Sequence, residues 1–256
     1  MRSGFMKHIS DLVKQSDLII ELLDARHPEA TRNPILENMI KTQKKKLLLV
    51  INKSDLMPKD EMEQKKASIA SESGVKTIFI SALERDGINM IRREISVDSK
   101  GTEKFIIGII GYPNVGKSTL INALAGKGRG RVATSRKAGL TRGIARVKIS
   151  DGLYLIDSPG IIPFKEEEFT LFLVESKNPN QLKDVETNAV KLIQLMGKEK
   201  IAKFYKIEQE KIEEKDEEEM LEEIAYKKAF LMKGGKPDMG KAARDLLERY
   251  QKHELI

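Results

Sequence analysis

The 256-residue chain contains no cysteine and no tryptophan, and aromatic residues make up only 5% of it. Without cysteine there are no disulfides and no thiolate metal ligands, which suits a reducing cytosol. The longest apolar runs have the length of strands, so we expect no membrane-spanning helix. The first ten residues, MRSGFMKHIS, lack the apolar core of a signal peptide. These absences predict a cytoplasmic protein with no membrane partner.

Acidic residues are missing between Glu103 and Asp151, where ten basic residues occur. The charge of the whole chain is uneven as well. Residues 1–163 carry 28 Lys and Arg against 18 Asp and Glu, whereas residues 164–256 carry 18 against 21. A basic run is most often a solvated surface, but it is also typical of a surface that binds a polyanion. Composition leaves both interpretations open.

Short apolar runs alternate with helical patterns over the first 163 residues. Runs of this length fit strands that are buried on both faces of a parallel sheet. The polar segment 96–104 is predicted to be a linker between the third strand and the fourth. The alternation predicts an α/β fold with a doubly wound, mostly parallel sheet. The predicted strands are 17–26, 45–56, 75–83, 104–111 and 153–160.

The pattern changes after about residue 163, where apolar residues recur at helical spacing and no comparable strand pattern is found. We therefore predict two domains, an α/β domain over 1–163 and a small helical domain over 164–256. A Gly-Gly-Lys-Pro sequence within 231–238 predicts a turn between two helices. The predicted helices are 181–197, 217–232 and 239–253.

The segment GYPNVGKS, residues 111–118, has the glycine, lysine and serine spacing of a phosphate-binding P-loop. A predicted strand precedes it and a predicted helix, 118–125, follows it, as that motif requires. Backbone N–H groups at a helix N-terminus surround phosphates. Lys117 is expected on the β- and γ-phosphates and Ser118 on Mg²⁺. The residues predicted to bind the phosphates are Asn114, Val115, Gly116, Lys117, Ser118 and Thr119.

A second phosphate-side motif, Asp-Ser-Pro-Gly at 157–160, ends the next predicted strand. Asp157 is predicted to hold Mg²⁺ through water, and the Gly160 N–H is predicted to contact the γ-phosphate. A threonine in the intervening basic loop can also reach Mg²⁺. Thr141 is our choice and Thr134 the alternative, while a surface loop without metal contact remains open.

The sequence Asn52-Lys53-Ser54-Asp55 follows the second predicted strand and has the form that reads guanine. The carboxylate of Asp55 can accept hydrogen bonds from guanine N1 and the 2-amino group, a pair that adenine does not supply. Asn52 and Lys53 are predicted to brace the base and the P-loop. Ser81 and Ala82, at the end of the next predicted strand, are predicted to offer a backbone N–H to guanine O6.

The guanine motif lies about sixty residues before the P-loop, although nucleotide-binding domains of this kind usually begin at the P-loop. All the parts are present, so the order indicates a circular permutation that joins the old termini through 96–104. The motif at 157–160 then leads directly into the helical segment. A loop that senses the γ-phosphate is thereby connected to the second domain.

In these motifs and their order the chain resembles the circularly permuted GTPases of the YlqF/YawG family. The segment DARHPEATRNP, residues 24–34, is similar to a further motif of that family. The resemblance implies GTP hydrolysis with Mg²⁺, a role in ribosome assembly, and binding of ribosomal RNA or a large-subunit precursor through the helical domain. It assigns catalytic roles to Asn114, Lys117, Thr141 and Gly160.

The P-loop of this type also resembles those of potassium-stimulated GTPases, which implies that Asn114 helps to bind K⁺. The chain departs from the family in two ways. It lacks the Trp-Phe-Pro-Gly-His motif of bacterial members, and Ile161 stands where a glutamine would orient the attacking water. We therefore expect slow intrinsic turnover that a ribosomal partner stimulates.

Two rival functions remain open from the sequence. The first is a GTP-binding scaffold that does not hydrolyse GTP, which the missing glutamine favours. The second is a GTPase whose partner is a protein or a transfer RNA. The sequence leaves the oligomeric state undetermined.

Overall fold

The computed structural model describes residues 2–126, 145–157 and 168–255. The chain divides into two compact units, Met1–Lys165 and Glu166–Ile256.

A six-stranded sheet forms the centre of the first unit. Its strand order is β3-β2-β1-β4-β6-β5, and all neighbouring pairs are parallel except the antiparallel pair β5–β6 at one edge. The apolar, β-branched composition of the central strands suits burial on both faces, and all seven residues of β1 are buried. The strands are β1 (Leu18–Asp24), β2 (Lys46–Asn52), β3 (Thr77–Phe79), β4 (Phe105–Gly111), β5 (Ala145–Ser150) and β6 (Leu153–Asp157).

Helices cover both faces of this sheet. One face packs Leu12 of α1, Ile40 of α3 and Met62 of α4 against buried strand residues. The helix α6, which packs on β4 and β6, also contacts α5. The described helices of this unit are α1 (Arg2–Gln15), α2 (Pro28–Thr31), α3 (Pro34–Thr42), α4 (Lys59–Ser73), α5 (Ile88–Asp98) and α6 (Lys117–Ala125), with a 3-10 turn at Ser54–Leu56.

The second unit is helical over residues 168–255. Its buried face includes Leu192, Leu221 and Leu246, and the Phe172 and Tyr250 rings lie 5.5 Å apart. Asp184, Asp216 and Asp238 cap three of its helices, because each carboxylate accepts a backbone N–H in the first turn. The helices are α7 (Glu168–Leu173), α8 (Val185–Met196), α9 (Lys198–Tyr205), α10 (Glu217–Lys227) and α11 (Met239–Gln251), with 3-10 turns at Pro179–Gln181 and Gln209–Lys211.

The predicted α/β class and mostly parallel sheet are confirmed, and all five predicted strands are found. Three details differ. The linker predicted over 96–104 is wrong in its first part, because α5 continues to Asp98. Strand β5 was not predicted; it is an edge strand in which Val147 and Ile149 alternate with basic residues. The third strand ends at Phe79, so Ser81 and Ala82 lie in the turn that follows it.

Helices α1, α2, α7 and α9 were also not predicted from the sequence. None of the helices within 2–126, 145–157 and 168–255 combines the length and the apolar composition that a membrane span requires.

Candidate nucleotide-binding site

The predicted site motifs follow parallel strands whose carboxyl ends meet at one edge of the sheet. Asp24, Asn52, Gly111 and Asp157 are the last residues of β1, β2, β4 and β6. Asp24 lies opposite Asn52 in the register, and Asp157 lies opposite Ile109 of β4. Ligands of open α/β sheets bind outside this edge. The fold therefore collects motifs that the sequence separates by about a hundred residues.

The P-loop leaves β4 and enters α6 through three residues with positive φ. Gly111 has φ +147° and Gly116 has φ +101°, conformations that residues with a side chain rarely adopt. A Cβ at Gly111 would stand 2.5 Å from the Leu22 carbonyl oxygen. Asn114 has φ +61°, in the left-handed region that asparagine tolerates better than most residues. The loop is therefore bent so that it opens onto the N-terminus of α6, where anions are favoured.

Lys117 is the first residue of α6, and its side chain is buried within the loop. Its Nζ donates hydrogen bonds to the carbonyl oxygens of Gly111 at 2.9 Å and Tyr112 at 2.6 Å. Ser118 and Thr119 follow in the same turn and are half-buried. The ammonium group thus stays inside the ring of loop backbone, where it can meet phosphate oxygens.

Asn52 joins the P-loop to the turn after β3. Its side-chain Nδ2 donates to the Val115 carbonyl oxygen at 2.7 Å, and its Oδ1 accepts the Ala82 N–H at 2.9 Å. The residue is 3% exposed. A buried amide that uses both ends in this way fixes two loops relative to each other. Its position is the one expected of a brace between the guanine motif and the P-loop.

Asp55 lies beyond this brace, in the 3-10 turn, and is exposed. The turn is tied to the sheet, since the Ser54 N–H donates to the Ile80 carbonyl oxygen at 3.0 Å. Lys53 precedes it with φ +68°. An exposed carboxylate on an anchored turn is accessible to a base.

Ser81 and Ala82 are placed beside the guanine motif, but their N–H groups are used inside the protein. The Ser81 N–H donates to the Asp86 carbonyl oxygen at 3.1 Å, and the Ala82 N–H donates to Asn52. The contact with guanine O6 stays a prediction. It requires one of these two bonds to be shared with the base.

The remaining predicted phosphate-side residues are described in part or lie outside the described residues. The backbone of Asp157 is fixed by its pairing with β4. Thr141, the alternative Thr134 and Gly160 lie outside the described residues.

The residues near the P-loop suit Mg²⁺ better than a softer metal. Ser118 offers a hydroxyl oxygen in the first turn of α6, and β6 ends at Asp157 beside the P-loop strand. Mg²⁺ prefers such oxygen ligands and takes most of its other ligands from phosphates and water. Within 2–126, 145–157 and 168–255, no group of three or more His, Asp or Glu side chains could hold a metal.

A buried ion cluster at the end of β1 was not assigned a role from the sequence. The Asp24 carboxylate accepts hydrogen bonds from Arg26 Nε at 2.9 Å and Nη2 at 2.7 Å, and Lys53 Nζ lies 2.7 Å from its Oδ2. Burial alone would raise the pKa of Asp24. The hydrogen bonds from Arg26 and the charge of Lys53 outweigh burial and hold this pKa below its usual range. In the sequence, this cluster is indicated only by an acidic residue, Asp24, at the end of an apolar run.

A basic surface lies between α10 and α11 in the second unit. The chain there forms a tight hairpin in which Leu231 pairs with Pro237. Lys241 lies over the Phe230 ring, 4.7 Å from its centroid. We call the exposed lysines of this segment the lysine hairpin: Lys227, Lys228, Lys233, Lys236 and Lys241.

Together, the P-loop, the guanine motif and the parallel sheet define a P-loop GTPase domain with its parts in permuted order. Comparisons with known proteins agree. A sequence model described as RsgA GTPase matches residues 13–167, and one described as 50S ribosome-binding GTPase matches residues 106–232. The chain belongs to the circularly permuted GTPases of the YlqF type, as the sequence motifs predicted.

Three relatives illustrate the similarity. An uncharacterized GTP-binding protein of Methanocaldococcus jannaschii is 35% identical over 97% of this chain and 65% of its own length. Ribosome biogenesis GTPase A of Bacillus pumilus is 30% identical over 90% of this chain and 84% of its own length. A GDP-bound YlqF structure shares the fold, with a TM-score of 0.62 and 24% identity over 96% of this chain and 95% of that one.

The chain spans between 56% and 65% of the length of three of its curated relatives.

Proposed function

We propose that the chain is a GTP-binding and GTP-hydrolysing switch that acts in ribosome assembly. The observation that carries this proposal is the double hydrogen bond of Asn52, to Val115 of the P-loop and to Ala82. It joins a phosphate-binding loop to a guanine-reading turn at one edge of the sheet. The names of relatives, ribosome biogenesis GTPase A among them, support the assembly role.

The residues of the predicted site have proposed tasks in the reaction. The P-loop backbone from Asn114 to Thr119 cradles the phosphates, and Lys117 neutralises charge that develops on the transferring phosphoryl group. Asp55 selects guanine. Ser118, with Thr141 and Asp157, would hold Mg²⁺, which when bound neutralises charge on the β- and γ-phosphate oxygens.

Hydrolysis requires a water in line with the leaving oxygen, and Ile161 cannot orient it. We therefore propose that intrinsic turnover is slow and that the partner completes the site. Asn114 is proposed to supply an oxygen ligand for K⁺ beside the phosphates. A fixed cation there would stabilise transition-state charge as an arginine finger does.

The proposed partner is ribosomal RNA or a precursor of the large ribosomal subunit. In support, the helical unit carries the lysine hairpin, and phosphate contacts by lysines dominate the affinity of proteins for RNA. We propose that residues 1–163 act as the GTPase domain and 164–256 as the RNA-contacting domain. The cytoplasm is the proposed location.

Two measurements test this function. The first is affinity: GDP should bind more tightly than ADP, by at least about tenfold for a charge-assisted pair to the base. Equal affinities would contradict the guanine assignment. The second is GTP turnover, measured with and without purified large subunits, together with co-sedimentation of the protein with subunits in GTP and in GDP.

The same experiments separate the rival functions. A scaffold that only binds GTP would sediment with subunits in a GTP-dependent way and show no turnover in single-turnover assays. A GTPase with a protein or transfer RNA partner would hydrolyse GTP at a rate that subunits do not change. Subunit-stimulated turnover distinguishes the proposed function from both.

A further inference from the structure

The segment after β1 contacts the guanine motif through both its backbone and its side chains. The Ala25 N–H donates to the Asn52 carbonyl oxygen at 2.8 Å. Asp24 stands opposite Asn52 in the register, and its carboxylate reaches past Asn52 to Lys53 Nζ at 2.7 Å. The end of β1 therefore lies against the strand end that leads into the guanine-reading turn.

Asp24 is held so firmly that its carboxylate has one orientation. It is 2% exposed, its Oδ1 accepts the Arg26 N–H at 3.1 Å, and the Arg26 guanidinium binds both of its oxygens. The Asp24 N–H in turn donates to Thr31 Oγ1 at 3.0 Å. Paired, charge-assisted hydrogen bonds of this kind fix geometry as well as charge.

Lys53 needs such an anchor because of where it lies in the chain. Its backbone has φ +68°, a conformation that a long side chain rarely adopts, and it is the cap of the turn that carries Asp55. With Asn52 fixed by the P-loop and the Lys53 side chain fixed by Asp24, the path of the chain into Asp55 is fixed at two consecutive residues.

We propose that Asp24 is a positioning residue for guanine recognition, which acts by holding Lys53 and so orienting Asp55. This inference rests on the proposed function, since it assumes that Asp55 reads the base. It makes Asp24 a part of the nucleotide site. Asp24 itself touches no base in this proposal.

The test compares GDP with inosine diphosphate, which lacks the 2-amino group whose hydrogen bond the Asp55 carboxylate is proposed to accept. Removing Asp24 alone would take a charged partner from the buried Arg26 side chain, and breaking a buried ion pair on one side destabilises proteins strongly. The test variant is therefore the double change Asp24→Asn with Arg26→Gln. Arg26→Gln alone is the matched control, because it keeps the Asp24 carboxylate beside Lys53.

Isothermal titration should show that the double variant binds GDP about tenfold more weakly than the unmutated protein, the loss expected for one charge-assisted bond. Its affinity for inosine diphosphate should fall by less, because inosine keeps the N1–H but has no 2-amino bond to lose. The Arg26→Gln control, in which the Asp24 carboxylate still faces Lys53, should keep more of the preference for GDP than the double variant does. Circular dichroism at the assay temperature establishes that each variant is folded. Asp24→Glu, which keeps a carboxylate at residue 24, should keep part of the preference for GDP over inosine diphosphate.

Equal losses for both nucleotides in the double variant would overturn the inference, because they would indicate a general effect on the site. No loss would overturn it as well. The failure of the proposed function looks different: the unmutated protein would then bind ADP as tightly as GDP, and both conclusions would fall together.

Discussion

Gly116 lies so close to Asn52 that a Cβ atom on residue 116 would stand 2.2 Å from the Asn52 Nδ2. The P-loop and the guanine motif are therefore in direct contact at a place where only glycine fits. Gly116 also has φ +101° as the cap of α6. At this contact, a change in the P-loop at Gly116 would displace Asn52 and with it the guanine motif.

Replacing Gly116 with alanine should disrupt both halves of the site. The positive φ costs about 1–2 kcal/mol for a residue with a Cβ, and displacing Asn52 leaves buried polar groups unpaired at about 1–3 kcal/mol. GDP affinity, measured by titration, should fall by well over tenfold. Gly74→Ala is the control: Gly74 has φ +63°, but apart from its chain neighbours no atom of the described residues lies within 4 Å of its Cβ position. A loss of similar size in both variants would show that the contact with Asn52 is unimportant.

Asp55→Asn should change which base is preferred. The exposed position of Asp55 means that the variant should fold normally. GTP binding should weaken by about 1.5–3 kcal/mol, and xanthosine triphosphate should bind more tightly than in the unmutated protein, because its extra carbonyl meets the new amide donor. Competition against a fluorescent guanine nucleotide measures both. Unchanged discrimination between the two nucleotides would remove Asp55 from base recognition.

Glu21, in the middle of β1, should make stability depend on pH. Its Oε1 accepts the Asn33 N–H at 2.8 Å, whereas its Oε2 is buried without a hydrogen-bond partner among the described residues. Burial, followed by the charge of Glu37, raises the pKa of Glu21 from its ordinary 4.5 to about 8. The folded state therefore keeps a proton that the unfolded state has released.

It follows that stability is lost as pH rises from 4.5 to about 8. Glu21→Gln, which copies the protonated form, should remove this loss and raise the free energy of unfolding at pH 8 by at least about 2 kcal/mol. At pH 5 the two proteins should differ little. Urea unfolding at four pH values between 5 and 8, followed by circular dichroism, checks this. Parallel pH profiles for both proteins would contradict it.

The sequence predicts the parts of this site better than the contacts between them. The P-loop and the guanine motif are each contiguous patterns next to an apolar run, so local spacing identifies them. The ion pair of Asp24 with Lys53 depends on the register of β1 against β2, which no local pattern encodes. Glu21 is similar, since an acidic residue inside an apolar run does not reveal whether it is paired, protonated or exposed.

Strand β5 was missed for a related reason. Its residues alternate between apolar and basic side chains within a basic block, and the pattern of an edge strand is weaker than that of a buried one. The Ser81–Asp86 bridge, which uses the Ser81 N–H, is likewise a product of the turn geometry.

The lysine hairpin should contribute to RNA binding through phosphate contacts. Replacing Lys227, Lys228, Lys233 and Lys236 with glutamine should flatten the dependence of affinity on salt, because each lost phosphate contact removes about 0.7–0.9 from the logarithmic slope. The control exchanges four other exposed lysines that lie near acidic residues: Lys200, Lys203, Lys206 and Lys211. Filter binding of ribosomal RNA at several salt concentrations measures the slopes. Equal slopes in the two variants would show that the lysine hairpin is an ordinary solvated surface that does not contact RNA.

The basic block before β5 is predicted to act in the same way. Its residues Arg129, Arg131, Arg136 and Lys137 lie outside the described residues, so the expectation comes from the sequence alone. Neutralising all four should lower the same slope. If it does not, the block is a solvated surface and the helical unit carries the RNA contacts.

Substitutions of Asn114 test whether K⁺ takes part in hydrolysis. Two explanations for an asparagine here are available: it tolerates φ +61° in a tight loop, or its carbonyl oxygen binds K⁺ beside the phosphates. Replacement by alanine would not separate these two explanations, because alanine is strained at this positive φ. Asn114→Gly keeps the backbone conformation and removes only the side-chain oxygen. Asn114→Asp keeps an oxygen ligand at the same place.

If the carbonyl oxygen binds K⁺, GTP turnover in the unmutated protein should be faster in K⁺ than in Na⁺ at equal ionic strength. Asn114→Gly should abolish this difference and leave GDP affinity within a few-fold, about 1 kcal/mol, while Asn114→Asp should retain it. The measurement is repeated with ribosomal subunits, because the partner is proposed to complete the site. Identical rates in the two salts under both conditions would remove the cation from the mechanism. The attacking water would then have to be activated by a group that the ribosomal partner supplies.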